Sequence, residues 1–495
     1  MEFLKIKKFT MKKNNTKKMF PIFIALQSFA FLSNGQITTF QKIYPTATVQ
    51  NQYAKDVLPT PDGGYMMVSA TETSIVNDLD IMIVKTDSFG NIIWTKTYGG
   101  SKPDVPNGML ETADGNYFVV GYKTSAGGEI DNYLLKLKPN GDTLFTKVFG
   151  GYGNEEAKEI VATADGNYVI VGASNSVNYA DNNFELIKID PFGNVIWTKY
   201  YGGPNYEAAR SVKLCSDGGF ILAGKTKLTT TSNASIFLVK TNSSGDTLWS
   251  KTYGGPNSYE AKSILANADG TYTFCADDSS YTNDSDVLVM NVSATGFINW
   301  TKSFGGTDKD ICKMINPTFD GGYIVAAISR SFGWINPDMW LLKLDASGNT
   351  QWTSHFGGQY HEHCYAARQT ADGGYIAAGQ SRSYSVNIQM MLVKLDSLGK
   401  INPLGNEEFA SKNMILNVYP NPTDGVVNID LSEYSNSPTI IKVNNSLGQV
   451  LYSEVIDQMS GTKNKVIDLK YEQPGIYFVT VQSANNLTTK KLVLK

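Results

Sequence analysis

The chain has 495 residues, of which 42% are hydrophobic and 18% are charged, and it contains only four Cys. Without the first 35 residues, which hold seven Lys and one Glu, 36 basic residues face 45 acidic ones, a net charge of −9. This balance excludes nucleic acid and anionic lipid as the main partners, and a chain of this size can bury a large core without disulfide bonds.

The N-terminal segment, residues 1–35, has the features of a secretory signal peptide. Four lysines between positions 12 and 18 precede an apolar stretch from Met19 to Leu32, and a Ser-Asn-Gly segment follows it. The apolar stretch is shorter than the roughly 20 residues that a helix needs to cross a bilayer. Because no later segment comes closer to that length, we expect the mature chain to lack a transmembrane segment.

An internal repeat covers most of the remaining chain. An Asp-Gly pair followed by small and β-branched residues recurs seven times at intervals of 51 or 52 residues, with its Asp at Asp62, Asp114, Asp165, Asp217, Asp269, Asp320 and Asp372. An aromatic residue four positions after a Gly keeps the same period, at Trp94, Phe145, Trp197, Trp249, Trp300 and Trp352. So does a Gly-Gly pair, which begins at Gly99, Gly150, Gly202, Gly254, Gly305 and Gly357. Such rigid spacing predicts that the backbone itself is repeated.

Each unit is predicted to form four short strands. In the third unit these are 157–163, 168–172, 184–190 and 195–201, separated by turn-forming residues. Seven such units predict an all-β fold in which residues 36–404 form a seven-bladed β-propeller.

The two ends of the repeat predict how the ring closes. The last unit lacks its fourth strand, because Pro403 stands where its aromatic residue should be. Near the start of the mature chain, Phe40, Lys42 and Tyr44 reproduce the spacing found in the fourth strand of the first unit. We therefore expect the N-terminal strand to complete the last blade, which leaves no open sheet edge.

After a polar linker, residues 405–413, the remaining residues 414–495 predict a small Ig-like β-sandwich. This segment opens with Val418-Tyr419-Pro420-Asn421-Pro422 and ends with Lys490-Lys491-Leu492-Val493-Leu494-Lys495. Two glycine-led apolar strands, at 448–451 and 475–479, lie between these motifs.

This ordered set of motifs resembles the C-terminal sorting domain of the type IX (Por) secretion system of Bacteroidetes. The resemblance implies that the signal peptide takes the chain across the inner membrane and that the tail engages the type IX machinery at the outer membrane. It also implies a protein that is secreted or attached to the outer-membrane surface. The repeats look like those of secreted Bacteroidetes propellers that carry such a tail. The alternative is an ordinary Ig-like domain at the end of an extracellular protein.

A column of carboxylates is the first candidate for a ligand-binding site. Five acids each lie four residues after the second Gly of a pair, and Glu260 is one step out of phase; the five are Asp104, Glu155, Glu207, Asp310 and Glu362. Ring symmetry predicts that they circle one mouth of the channel, where they would attract cations such as calcium. The alternative is that each acid bonds the backbone of its own loop or pairs with a lysine.

Aromatic residues in the loops are the second candidate. In a propeller, the loops between second and third strands share a face with the Gly-Gly loops. We expect that face to carry Tyr179, Tyr206, Tyr259, Tyr281, Trp334, Tyr360 and Tyr384. Exposed aromatic residues among Ser, Thr and Asn suit carbohydrate or peptide recognition. The alternative is that several of them cover the apolar cores of their loops.

No catalytic residues are predicted. The sequence has no nucleophile elbow, zinc-protease helix or phosphate-binding loop. His355, His361 and His363 fall in one unit without a defined third ligand, so no metal or other cofactor is predicted apart from the calcium alternative. Residues 345–352 fit the spacing of the docking motif in quinoprotein propellers, but a turn and a packed Trp explain that spacing without a cofactor.

The leading hypothesis is a secreted or cell-surface binding propeller that recognises glycan or protein, as an adhesin or scaffold does. The rival hypothesis is a secreted polysaccharide hydrolase or lyase with carboxylates at the channel mouth. The spread of acids over equivalent blades disfavours it, because general acid-base catalysis needs two carboxylates in unlike environments. A third hypothesis is a structural spacer that binds nothing.

Overall fold

The computed structural model describes residues 37–44, 50–73, 78–176, 182–227, 229, 232–255, 257–278, 286–332, 336–385, 387–401, 416–431, 439–445, 450–456, 464–483 and 486–495. The predicted signal peptide lies outside these ranges, as do Tyr179, Tyr281 and Trp334. Within these ranges the chain consists of β-strands, turns and irregular segments, with no helix.

Seven four-stranded antiparallel sheets, blades 1 to 7, make up the repeat region. Strand β1 (Phe40–Tyr44) begins the described chain. Blade 1 contains β2 (Gln52–Pro59), β3 (Tyr65–Glu72), β4 (Leu79–Thr86) and β5 (Ile92–Tyr98). Blade 2 contains β6 (Asp104–Glu111), β7 (Tyr117–Thr124), β8 (Ile130–Leu137) and β9 (Thr143–Phe149). Blade 3 contains β10 (Glu155–Ala162), β11 (Tyr168–Ser174), β12 (Asn183–Ile189) and β13 (Val195–Tyr201).

The remaining four blades follow the same order. Blade 4 contains β14 (Glu207–Leu214), β15 (Phe220–Lys227), β16 (Ala234–Thr241) and β17 (Thr247–Tyr253). Blade 5 contains β18 (Tyr259–Ala266), β19 (Tyr272–Asp278), β20 (Val287–Val292) and β21 (Ile298–Phe304). Blade 6 contains β22 (Asp310–Pro317), β23 (Tyr323–Ser329), β24 (Asp338–Leu344) and β25 (Thr350–Phe356). Blade 7 contains β26 (Glu362–Gln369), β27 (Tyr375–Ser381) and β28 (Gln389–Leu395), to which β1 is added.

Burial changes from strand to strand within each blade. All residues of β11 are buried, because both faces of a middle strand pack against neighbouring blades. The outer strand β9 instead alternates between exposed and half-buried residues. This gradient explains why the middle strands are rich in Val, Ile, Leu and Ala, whereas the outer strands alternate polar and apolar residues.

A buried ion pair joins the Asp-Gly turn to the third strand in six blades. In blade 6, Lys343 Nζ lies 2.8 Å from an oxygen of Asp320, and the lysine side chain is only 2% exposed. The same contact links Lys85 to Asp62 at 2.8 Å. In blade 5 the lysine is replaced by Asn291, whose amide instead donates to Thr271 and Thr273. The repeated lysine of the sequence therefore ties the third strand to the Asp-Gly turn in six of the seven blades.

The ring closes as the sequence predicts. Strand β1 pairs antiparallel with β28, from Phe40 opposite Lys394 to Tyr44 opposite Met390, and gives blade 7 its fourth strand. Phe40 contacts Gly90 of blade 1, as Trp94 of blade 1 contacts Gly141 of blade 2. The Tyr44 hydroxyl donates a 2.8 Å hydrogen bond to the carbonyl of Gly90. The aromatic-on-glycine contact that joins successive blades therefore also joins the last blade to the first.

The C-terminal domain is formed by β29 (Asn417–Tyr419), β30 (Val426–Asp430), β31 (Thr439–Asn445), β32 (Val450–Ile456), β33 (Asn464–Asp468), β34 (Gly475–Ser483) and β35 (Asn486–Leu494). These strands form a three-stranded sheet, β29-β30-β33, and a four-stranded sheet, β32-β31-β34-β35. Val427, Ile441 and Val479 belong to its apolar core, each with no exposed surface. This all-β domain agrees with the sequence-based prediction. Among the residues that the structure describes, no helical segment has the length and apolarity needed to span a membrane.

Candidate functional site

The candidate site is the face that carries the Gly-Gly loops, together with the channel that opens there. The five predicted acids, Asp104, Glu155, Glu207, Asp310 and Glu362, begin the inner strands of their blades, and each has only 0 to 2% of its surface exposed. Antiparallel order places the start of every inner strand at the same mouth of the ring.

Each buried acid holds the Gly-Gly loop that precedes it. The Glu362 carboxylate accepts a 2.8 Å hydrogen bond from the amide of Gly358 and a 2.6 Å bond from the hydroxyl of Ser381. Glu207 does the same with the amide of Gly203 at 3.0 Å and the hydroxyl of Thr226 at 2.7 Å. The geometry corresponds to the second interpretation of the column, in which the acids bond their own loops.

Asp104 is the member of the column that pairs with a cation. Lys123 Nζ lies 2.8 Å from its Oδ1 atom. Burial raises the pKa of Asp104, although the hydrogen bond and the charge of Lys123 both lower it. This acid therefore has a structural partner on the adjacent strand of its own blade.

The glycines of the pairs are required because a second side chain occupies the space beside them. A Cβ atom at Gly150 would lie 1.7 Å from Oδ1 of Asp131, and one at Gly357 would lie 1.9 Å from Oδ1 of Asp338. A Gly-Gly loop of this kind therefore packs between two polar side chains, one from the third strand of the preceding blade and one from the inner strand of the following blade.

The described aromatic residues differ in exposure. Tyr360 and Tyr384 are 51% and 37% exposed, and the amide of Tyr360 donates a 2.8 Å hydrogen bond to Ser383, which brings their loops together. Tyr384 also accepts a 2.9 Å hydrogen bond from Gln41 of β1. Tyr206 and Tyr259 are half-buried. The predictions for Tyr179, Tyr281 and Trp334 fall outside the described residues.

Sequence reasoning missed an exposed aromatic residue on the same face. Tyr152 directly follows the Gly150-Gly151 pair and is 86% exposed. Its position inside the Gly-Gly loop was the available signal, because that loop is already predicted to lie at the channel mouth. Tyr152, Tyr360 and Tyr384 are the most exposed tyrosines that the structure describes on this face.

A small cleft of about 90 Å³ opens between blades 3 and 4. Its lining includes Tyr206, Glu156, Lys158 and Arg210. Glu156 and Lys158 form an ion pair, and Arg210 donates a 2.6 Å hydrogen bond to Glu260 of blade 5. Glu260, the acid that is out of phase in the sequence, therefore belongs to a charged network on the channel wall and not to a Gly-Gly loop.

The histidines occupy different surroundings. His355 stacks on Trp340 with ring centroids 5.8 Å apart, whereas His363 lies beside Tyr365 and Gln380. Burial, together with nearby positive charges, lowers the pKa of His363 to about 4. Within the described ranges, no group of three or more His, Cys, Asp or Glu side chains is placed to hold a metal. All four cysteines are buried and free.

A buried carboxyl group of blade 3 gives the fold a testable pH dependence. Glu185 is 4% exposed and accepts a 2.7 Å hydrogen bond from Asn132 of blade 2. Burial raises the pKa of Glu185 to about 7, against the opposing effect of that hydrogen bond. Since the raised value belongs to the folded state, ionisation of Glu185 destabilises the fold as pH rises from about 4.5 to 7.

Glu185→Gln is therefore expected to remove this loss of stability. Above pH 8 the variant should be more stable by about 3 kcal/mol, and near pH 4.5 the difference should vanish. Urea titrations of both chains at the two pH values measure the free energy of unfolding. The exposed Glu129→Gln is the matched control and should leave the pH profile unchanged. A stability difference of equal size at both pH values would contradict the prediction.

Comparison with known proteins assigns the C-terminal domain. Residues 417–495 match the family described as the secretion system C-terminal sorting domain, the Por secretion tail. No curated protein sequence matches the chain.

Solved structures give only distant likenesses. PorZ, a surface component of the type IX secretion system of Porphyromonas gingivalis, is 12% identical with a TM-score of 0.41 over 91% of this chain and 61% of its own. A puromycin hydrolase is 12% identical with a TM-score of 0.48 over 76% of this chain and 58% of its own. The propeller of the trilobed protease from Pyrococcus furiosus is 9% identical with a TM-score of 0.42 over 73% of this chain and 98% of its own. The chain thus spans about three-fifths of the first two proteins, and likenesses this distant assign no activity to it.

Proposed function

Given that residues 417–495 are a sorting domain of the type IX secretion system, we propose that the exported propeller is an extracellular binding module for glycan or protein. The sorting domain indicates export to the cell surface or into the medium, and the type IX machinery is the partner that it implies. The proposal concerns what the propeller does once it is outside.

The burial of the acid column is the observation that carries this proposal. Polysaccharide hydrolysis by general acid-base catalysis needs two carboxylates that reach the substrate. The five acids at the channel mouth have at most 2% of their surface exposed. Most of them accept hydrogen bonds from their own loops, as Glu362 does from Gly358. They therefore shape and stiffen the loops, which pre-organises a surface for binding.

The exposed aromatic residues on these loops supply contact groups. Tyr152 and Tyr360 present ring surface on loops that the buried acids Glu155 and Glu362 hold in place. Exposed tyrosines bind sugar rings and peptide side chains at a low cost in conformational entropy, because the side chain has only two rotatable angles to fix.

A panel of extracellular glycans and peptides tests the proposal. The mature chain should retain a member of the panel without releasing new reducing ends or cleaved peptide. Tyr152→Ala with Tyr360→Ala should weaken retention at least about tenfold, as the loss of binding hot spots does. Phe192→Ala is the matched control, because this exposed aromatic residue lies in a turn on the opposite face. New reducing ends would support the rival hydrolase or lyase, and retention of nothing would support a structural spacer.

A further inference from the structure

The first, inner strands of the seven blades share an irregularity in their pairing with the second strands. In every blade the pairing between the first and second strands skips one residue, as between Ala157 and Glu159 in blade 3. The skipped residues are Lys55, Asn107, Lys158, Arg210, Lys262, Lys313 and Tyr365. Such a β-bulge redirects the side chain of the extra residue. We call these seven residues the bulge collar; five of them are basic.

The collar side chains meet inside the ring. Burial is the main cause that lowers the pKa of Lys158 to about 8, and the charges of Arg210 in blade 4 and Lys55 in blade 1 lower it further. Burial lowers the pKa of Lys55, and the charge of Glu156, two blades away, opposes this effect. Hydrogen bonds between neighbouring inner strands place these side chains on the same inner surface: Asn107 of blade 2 donates to Glu156 of blade 3 at 3.2 Å, and Arg210 of blade 4 donates to Glu260 of blade 5 at 2.6 Å. The collar therefore lines the channel wall.

Carboxylates neutralise only part of the collar. Glu156 pairs with Lys158, and Glu260 pairs with Lys262 and with Arg210, the latter at 2.6 Å. Asp277 lies 3.3 Å from Lys262. Glu260 also faces Lys225, whose Nζ atom lies 3.5 Å away. The collar and its nearest neighbours thus hold six cations against three carboxylates, while the five buried acids that begin the inner strands bond their own Gly-Gly loops.

Lys55 and Lys313 carry the unbalanced charge. Neither has a carboxylate within ion-pair distance among the described residues, and the recorded neighbour of the Lys313 ammonium is the ring of Tyr365 at 5.6 Å. Burial lowers the pKa of both lysines, since few counter-charges compensate for the lost water. A channel with low-dielectric walls focuses this positive potential and raises the local concentration of anions.

The cleft between blades 3 and 4 opens beside two other cations of the collar. Lys158 and Arg210 of the collar line it, together with Tyr206, one of the predicted ligand-binding tyrosines. Its cavity volume of about 90 Å³ is below the range of whole small-molecule sites, so the cleft offers room for a small anionic group and not for a complete sugar unit. The cations and the aromatic ring thus lie where a ligand from the loop face would enter.

We propose that the bulge collar is an anion site that receives the sulfate or carboxylate group of an acidic glycan. The anion would supply the counter-charge that Lys55 and Lys313 lack, and the saccharide would lie towards the tyrosines of the mouth. This inference rests on the proposed function for the saccharide part and on the channel charges alone for the anionic part.

Calorimetric titration of the mature chain at low ionic strength tests the inference. The probes are a sulfated uronate-containing disaccharide, a neutral disaccharide and inorganic sulfate. The acidic disaccharide should bind, the neutral one should bind at least about tenfold more weakly, and added salt should weaken the acidic one. Equal affinity for the neutral and acidic sugars would overturn the inference and leave the proposed function standing. If inorganic sulfate binds as tightly as the acidic disaccharide, the inference that the saccharide contributes to binding is overturned.

Lys55→Gln with Lys313→Gln is the diagnostic variant. The affinity of this variant for the acidic disaccharide should fall at least about tenfold. Its thermal midpoint should not fall, because two half-buried charges without an ion-pair partner are removed. Lys96→Gln with Lys199→Gln is the matched control, since these lysines are exposed on outer strands and pair with Asp142 and Asp246. Unchanged affinity in the collar variant, or an equal loss in the control, would overturn the inference. If the variant does not fold, the neutral-sugar and salt comparisons on the parent chain decide.

Discussion

A chain that lacks residues 37–44 is expected to lose cooperative folding of the propeller. Those residues contain β1, whose five residues pair with β28 and close blade 7. Phe40 and Tyr44 are buried at the junction with blade 1, with 8% and 4% exposure. Removing a large buried aromatic side chain costs about 3 to 5 kcal/mol, and two such losses approach the whole stability of a typical domain. The deletion also exposes the edge of β28.

Circular dichroism during thermal unfolding measures this effect. The shortened chain should unfold over a broad range or at a midpoint more than about 10 °C lower. Lys42→Ala is the matched control on the same strand; it removes the 2.6 Å contact with Asn91 but keeps both buried aromatic residues, and should shift the midpoint little. A synthetic peptide of residues 36–50 should restore stability in proportion to its concentration. A shortened chain that melts like the parent would mean that β1 does not hold the ring.

Removal of residues 417–495 is expected to abolish export across the outer membrane. These residues match the sorting-domain family and form a β domain with its own apolar core, which includes Ile441 and Val479. Because the family match assigns the sorting signal to these residues, their removal should block this export step. The truncated protein should accumulate in the periplasm of the native bacterium, while the full chain should reach the surface or the medium.

Immunoblots of periplasm, outer membrane and medium measure the distribution. The full-length Glu185→Gln variant is the matched control, because it changes the propeller and keeps the tail, and it should be exported normally. A fusion of residues 417–495 to a reporter with its own signal peptide should send the reporter outside. Truncated protein in the medium at the normal level would contradict the assignment.

The architecture was predictable from the sequence because its determinants repeat. The seven Asp-Gly turns, the aromatic column and its glycines report contacts made once in every blade, as when Trp352 packs on Gly399. Ring closure could be predicted because Phe40, Lys42 and Tyr44 reproduce the fourth-strand spacing at the start of the chain. The contact of Phe40 with Gly90 confirms that prediction. The sorting domain was readable from the order of its motifs, and the family match confirms it.

The site was less predictable, for physical reasons that particular residues show. The sequence places Glu362 at a channel mouth, but it does not show that the amide of Gly358 and the hydroxyl of Ser381 satisfy its carboxylate. The collar was missed because a bulge interrupts the alternation of the inner strand, so Lys158 cannot be assigned to a face by counting residues. Its signal was a basic residue three positions after the acid of the column in blades 3, 4 and 6, and at the same position after Gln52 in blade 1 and Tyr259 in blade 5.

Hydrogen exchange of the mature chain, followed by mass spectrometry, tests the closed ring most directly. The ring requires that backbone amides of β1 and β28 protect each other, since residues 40–44 pair with residues 390–394. Peptides covering residues 37–44 and 389–395 should therefore exchange as slowly as the outer and third strands of the other blades, such as β5 and β4. Exchange of residues 37–44 at the rate of an unfolded peptide would contradict the closed seven-bladed ring on which the loop face and the bulge collar depend.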